Sequence, residues 1–416
     1  MGILRNIGLL ATCRGSDGPD DAGLLSDAAM VWSEGRIVWT GRAEDLDAPG
    51  EHEEYDAGGR LVVPGLVDCH THLAFGGWRA DEFERRSRGV SYVEIGRSGG
   101  GIISTVRSTR ETSSEDLLQK VTRHAAEMAA LGVTTIECKS GYGLTLEDEL
   151  RILEVYRTLS ERGPQRIVPT FLGAHTVPAE FNGRGDEYVN LVCGEMIPKV
   201  AQARLAEFCD VFVEKTAFSV DAGRRVLEAG LTFGLRPKLH ADQITSGGGA
   251  ELAADVGAVS ADHLECVSDA GVRALAQAAV VAVSLPIASL YLGLRPLDGR
   301  RLIEAGVRVA VATDFNPGSA PSYHLPLALT LACTMNHLTP AEALIGGTLN
   351  AARAVGMSEE VGSLEPGKRA DFALVDADSV NQWLYHFRPN AVAATFIDGR
   401  IVSGRLDNFV PQTNLE

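Results

Sequence analysis

Long apolar runs are missing from this chain. Nowhere does it approach the ~20 consecutive apolar residues of a membrane-spanning helix, so no membrane partner is expected. Positive charge is also scarce. Against 55 Asp and Glu stand 38 Lys and Arg, a formal net charge of −17, whereas nucleic-acid binding requires a basic face. The same deficit denies an anionic small molecule any long-range attraction, so such a substrate would have to be met by local arginines. Cysteine is sparse and unpatterned: seven residues, at 13, 69, 138, 193, 209, 266 and 333, with no C-x-x-C. A disulfide framework or zinc finger is therefore not expected, and a reducing cytoplasm is. The opening MGILRNIGLLATCRG lacks a basic region followed by a small-residue cleavage pattern, so it does not read as a signal peptide.

What is present suits a buried globular protein. The 416 residues are 45% hydrophobic and include 45 glycines, enough for one large domain and a smaller one. The two ends resemble each other. MVWSEGRIVWTGR (30–42) and ATFIDGRIVSGR (394–405) each place a Glu-Gly or Asp-Gly turn between alternating apolar stretches, a hairpin signal. With LLATC and DFALVD they predict a small composite β-domain from residues 1–60 and 360–416. Between them, in 61–359, eight short β-branched runs recur: RLVVPGLVDC, VTTIEC, RIVPTFLG, CDVFVE, GLRPKLH, AVSADH, VVAVSL and RVAVAT. Amphipathic stretches such as EDELRILEVYRTLSERG and DAGRRVLEAG separate most of them, with glycine near the end as a stop. Strand and helix eight times over predict a parallel (β/α)₈ TIM barrel, class α/β, with a doubly wound open sheet as the alternative. About 60 residues intervene between the first two runs; this insertion reads as a substrate loop hinged at Gly99–Gly101, or as a flexible surface loop.

The polar residues gather at the ends of the runs. In VVPGLVDCHTHLAFGG, His70 and His72 are one residue apart, so strand alternation sets them on one face. Other ends carry Lys139 and Tyr142, His175, Glu214 and Lys215, His240, His263 and Asp314. Five of the ten histidines fall at these positions, which in a barrel is the mouth where active sites lie. Three imidazoles and a carboxylate suit a divalent metal with a position left for water. His70, His72, His240 and Asp314 are the expected ligands. A bound metal makes hydroxide accessible near neutral pH; Asp314 can carry the proton to a leaving nitrogen, and His263 can bond the hydroxide or the developing oxyanion. Lys139 reads equally well as a buried ion-pair partner, and Asn316, Gly318 and Ser319 as part of a structural turn. His52, His124, His324, His337 and His386 read as surface or helix residues.

PGLVDCHTHL, KLHAD, the aspartate of VATDFNPGSAP and the closing GSLEPGKRADFALVD resemble the amidohydrolase superfamily. Within it, EFERRSRGVSYVEIGRSGGGIISTVRSTR, IECKSGYGL, TFLGAHTVP, HADQ and DFNPGSAP are similar to the imidazolonepropionase family, a resemblance covering nearly the whole chain. It implies a (β/α)₈ barrel with a composite β-sandwich from both termini, a cytoplasmic homodimer, and one divalent or trivalent ion, zinc or iron. The implied reaction is 4-imidazolone-5-propanoate plus water giving N-formimidoyl-L-glutamate. The implied metal ligands are the same four residues. Substrate contacts carry over to Arg79, Tyr92, Tyr142, His175, Gln243, Asn316, Gly318 and Ser319, with His263 near the reacting carbonyl. Arg79 suits the propionate. Gln243 can orient substrate but cannot shuttle a proton at neutral pH. Lys215 ends the fourth strand, where binuclear members hold a second metal. Another cyclic-amide hydrolase, or an aromatic deaminase using Glu265, is the nearest competitor; a non-catalytic scaffold is the remote one.

Overall fold

The computed structural model describes residues 1–14, 18, 20–47, 52–90, 94–95, 99–386 and 388–406. Strands β1 (Gly2–Ala11), β2 (Leu24–Ser33), β3 (Arg36–Arg42), β4 (Glu53–Asp56) and β5 (Leu61–Pro64) come first. Next are β6 (Leu66–Thr71), β7 (Val133–Lys139), β8 (Arg166–Ala174), β9 (Phe208–Val213), β10 (Arg236–Ala241), β11 (Ser260–His263), β12 (Val281–Ser284) and β13 (Val309–Val311). The chain ends with β14 (Phe372–Val375), β15 (Val392–Ile397) and β16 (Arg400–Gly404).

β6 to β13 lie side by side in sequence order, each parallel to the next. The seam between first and last strand is closed just past β13. Thr71 bridges Phe315, the Asp314 N–H donates to the His70 carbonyl (3.0 Å), and the His72 N–H to that of Phe315 (2.9 Å). An open doubly wound sheet has no such closure. All eight sequence runs supply a barrel strand, but the first run supplies two elements. β5 belongs to the terminal sheet, between β1 and β14, and Gly65 marks the break. A β-carbon at Gly65 would sit 2.4 Å from Thr134 Oγ1, so only glycine lets the chain pass the start of β7.

The other sheet runs β16-β15-β14-β5-β1-β2-β3, with β4 also on β1. β2 and β15 are four strands apart, roughly 19 Å in a flat sheet, yet the rings of Trp32 and Phe396 are 6.2 Å apart. The sheet therefore folds over itself around Leu4, Ile7, Trp32, Phe372 and Phe396, a sandwich-like arrangement built from both ends of the chain.

Helices cover the barrel, and serine or threonine starts several of them. The side chains of Thr145, Ser219 and Ser268 accept the N–H three residues on, satisfying a donor that has no partner within the helix. DAGRRVLEAG runs further than expected. Gly230 lies inside the helix Val220–Thr232, packed on Cys209, and the left-handed residue that follows the helix is Gly234. Among the described residues the insertion after β6 includes the helices Ala80–Ser87, Ile102–Glu111 and Ser114–Ala130. His124, read from sequence as a surface or helix residue, is on the last of these but buried, its ring 5.1 Å from Phe315. Among the described residues no helix is long and apolar enough to cross a membrane.

Candidate metal centre

Alternation along β6 turns Asp68 and His70 inward, and His72 continues that face at the barrel mouth. On β10 the same rule turns Lys238 and His240 inward. Of the four expected ligands, His70, His72 and Asp314 cluster and His240 adjoins His72. His70 Nε2 is 3.4 Å and His72 Nε2 3.5 Å from the same Asp314 oxygen, and His240 Nε2 is 3.4 Å from His72 Nε2. Atoms held about 2.1 Å from one tetrahedral cation lie roughly 3.4 Å apart. The spacing thus fits a metal, and so does the chemistry. Two imidazole nitrogens facing each other at this range share either a proton or a cation, and both lone pairs are free for an ion once His72 carries its proton on Nδ1. His70 Nε2 is buried with no hydrogen-bond partner. Burial, reinforced by neighbouring imidazoles and Lys139, pushes His70, His72 and His240 well below the usual histidine range. This favours the neutral form that metal ligation requires.

Behind the ligands sits a charged floor, of which the sequence reading anticipated only Lys139 as a buried ion-pair partner. Asp262 accepts Nδ1–H of His70 at 2.6 Å and Asp210 that of His240 at 3.1 Å. Both aspartates face Lys139, whose Nζ is 2.7 Å from Asp210, 2.7 Å from Glu137 and 3.5 Å from Asp262. Burial alone would drive the proton off Lys139, but these carboxylates hold its ammonium above the ordinary lysine range. Lys238 and Asp68 complete the layer, Asp68 accepting the Thr313 N–H and hydroxyl. Barrel interiors are normally filled by branched apolar side chains; here six fully buried ionisable groups replace them. The period-two signal that gave His70 and His240 also marks Asp68 and Lys238.

Several of the remaining predicted residues lie beside these ligands. His175 stacks on His72 at 5.0 Å, with Nδ1 donating to the Gly141 carbonyl (3.1 Å). Tyr142 lies against both rings, 5.6 and 5.4 Å away. His263 is 5.4 Å from the His240 ring, and its Nδ1 is 3.6 Å from the buried Glu265. Asn316 is used within its own turn. Its amide nitrogen donates to the Asp314 carbonyl and Ser319 Oγ (2.6 and 2.8 Å), and its oxygen accepts the N–H of Gly318 and Ser319 (2.7 and 2.8 Å). Ser319 Oγ reaches the second Asp314 oxygen at 3.3 Å. Arg79 lies against Gly318, its Nε and Nη2 2.9 and 2.6 Å from Glu82. Gln243 is half-buried two residues after β10, and Lys215 is exposed two residues after β9. Glu214, next to Lys215, instead accepts the backbone N–H of Ile244 and Thr245 at 2.9 and 3.1 Å. Tyr92 lies outside the described residues. Non-glycine residues seldom take positive φ, yet Leu144, Asp242, His263, Leu264 and Asp314 all do. Such strain gathers at functional sites.

This barrel, with its histidines and aspartate around one point of the mouth, is that of an amidohydrolase, and residues 239–402 match the amidohydrolase family. Solved structures share the fold across nearly the whole chain. Guanine deaminase of E. coli has a TM-score of 0.74 at 16% identity, covering 97% of this chain and 100% of that one. A zinc-bound atrazine chlorohydrolase from Arthrobacter aurescens TC1 has 0.73 at 17%, covering 97% and 95%. Sequence relatives narrow the class. Imidazolonepropionase of Geobacillus kaustophilus (strain HTA426) is 47% identical over 92% of this chain and 91% of its own length. That of Brevibacillus brevis (strain 47) is 45% identical over 97% and 98%. The chain belongs to the imidazolonepropionase family.

Proposed function

We infer that the chain hydrolyses the ring amide C–N bond of 4-imidazolone-5-propanoate, giving N-formimidoyl-L-glutamate, a step of histidine degradation. The observation that carries this is the cluster of His70, His72 and Asp314, with His240 3.4 Å from His72, in a chain 43–48% identical to imidazolonepropionases along nearly its whole length. We assign these four residues to one ion per subunit, zinc or iron, which when bound would lower the pKa of a water and polarise the ring carbonyl.

The chain's own residues supply the rest. Asp314, its second oxygen held by Ser319, accepts a proton from the attacking water and returns it to the ring nitrogen as the C–N bond breaks. His263, with Glu265 behind its Nδ1, donates to the oxyanion of the tetrahedral intermediate. Tyr142 and His175 offer flat faces beside His72 for the imidazolone ring, and Gln243 and Tyr92 orient it. Arg79 pairs with the propionate, the local attraction that a chain of net charge −17 requires. Asn316 and Gly318 shape the turn that presents Asp314 and against which Arg79 rests. The working form in this reading is a cytoplasmic homodimer.

The test is ultraviolet loss of imidazolonepropionate, with metal content measured, on wild type and Asp314→Asn. Removing a general base lowers turnover by about 10²–10⁴-fold. Comparable turnover by the variant would rule out the proton transfer, and ammonia release in the first step would favour a deaminase.

A further inference from the structure

Lys139 sits at the end of β7 with no exposed surface, two residues after Glu137 on the same inward face. An ammonium taken wholly out of water persists only where carboxylates surround it, and three do. Two of the three have a second role, since Asp262 accepts the Nδ1–H of His70 and Asp210 that of His240. An ionised carboxylate can only accept, so each holds its histidine's proton on Nδ1 and turns Nε2 toward the mouth. Asp210 and Asp262 come from strands flanking β10, and both point at the barrel axis. Without a cation between them they would repel.

We propose that Lys139 is a positioning residue for the metal centre, bridging Asp210 Oδ2 (2.7 Å) and Asp262 Oδ2 (3.5 Å) so that these carboxylates fix the Nε2 atoms of His240 and His70 on the ion. The proposal rests on the metal reading above. It assigns Lys139 a role in ligand geometry that reaches the ion through two intervening groups on each side. Mere neutralisation of buried charge is the competing role, and Glu137 separates the two. It neutralises Lys139 at 2.7 Å but has no hydrogen bond to a ligand histidine among the described residues.

The test compares Glu137→Gln with the double variant Lys139→Met/Glu137→Gln. In the double variant the lysine and one of its carboxylates go together, so the buried charge balance of the wild type is kept. Lys139→Met alone would leave three buried carboxylates to Lys238, which is 3.9 Å from Glu137 and 4.0 Å from Asp262, and is not relied on. Zinc affinity is measured by competition with a chelating dye, and melting temperature on the metal-free proteins. Loss of such outer partners lowers metal affinity by about 10–100-fold, so the double variant is expected to bind zinc that much more weakly than Glu137→Gln, with metal-free melting within a few degrees. Equal affinities would overturn the proposal. A loss of affinity accompanied by collapse of the metal-free melting transition would also overturn it, by assigning Lys139 to the fold. Wild-type protein that takes up no zinc or iron would sink the metal reading itself, a result recognisable before any variant is measured.

Discussion

A β-carbon at position 318 would lie 2.0 Å from Nη1 of Arg79 and 2.8 Å from its Cζ. The glycine is there so that a guanidinium can rest on the turn after β13 while Glu82 holds its other edge. Gly318→Ala should push the fork off this line without touching Asp314. A hydrogen bond to a charged group is worth ~1.5–3 kcal/mol, so the variant is expected to raise KM for the imidazolone by about 10- to 100-fold, with kcat moving less. Steady-state kinetics decide it; an unchanged KM would remove Arg79 from the propionate site. The legibility of the site differs residue by residue for a physical cause. His70 and His72 show themselves because alternation pairs them within one strand. Asp210 and Asp262 do not, because each is a single carboxylate in a β-branched run. What each touches is decided only when non-adjacent strands meet inside the barrel. Asn316 was legible both as a substrate contact and as part of a structural turn, and only the folded loop shows both ends of its amide bonded within that turn.

Among the elements at the mouth, the loop after β7 carries Tyr142 and the Gly141 carbonyl that orients His175. The fully buried Glu149, in the first turn of the helix Leu146–Arg162, closes this loop. Its oxygens accept the N–H of Gly141 at 3.0 Å and those of Gly143 and Leu144 at 2.8 Å each. A carboxylate can take three donors because it presents two acceptor oxygens and no proton. Glu149→Gln replaces one of those oxygens with an NH₂ aimed at N–H groups, leaving at least one buried donor unsatisfied at a cost of ~1–3 kcal/mol. The expected result is a lower melting temperature together with a raised KM, because Tyr142 and His175 shift with the loop, and zinc binding unchanged. Glu149→Asp, which keeps both oxygens on a shorter arm, should recover part of both losses. A variant that melts lower but keeps its KM would separate this loop from substrate recognition. The sequence announces the helix through its period; it does not announce that Glu149 reaches backward to the loop preceding that helix.

Over the whole molecule, the barrel was readable because each of its strands is an apolar β-branched run, and helix-like stretches separate most of them. The boundary between the two sheets was not readable. Residues 61–71 look like one strand, and only the need to pass Thr134 at Gly65 splits them. Nor does the sequence show what ties the sheets together. Arg166, the first residue of β8, ion-pairs with Asp371 just before β14 and with Asp398 (2.5 Å) in the β15–β16 hairpin. Asp371 is nearly wholly buried, and its second oxygen accepts the Asp398 N–H at 2.9 Å. Breaking one side of a buried pair costs ~3–5 kcal/mol, so Arg166→Met should lower the melting temperature markedly at pH 8. The penalty should depend on pH in a defined direction. Burial already pushes the Asp371 carboxyl up to about 6 despite Arg166, and removing the cation raises it further. A carboxyl with a folded value above its unfolded one takes up a proton on folding, so the folded state gains as pH falls through that value. The melting gap between Arg166→Met and wild type should therefore narrow from pH 8 to pH 5, and in Arg166→Met/Asp371→Asn it should be small and flat with pH. A gap that stayed constant over that range would mean that lost packing of the arginine, rather than a stranded carboxylate, is what joins the terminal sheet to the barrel.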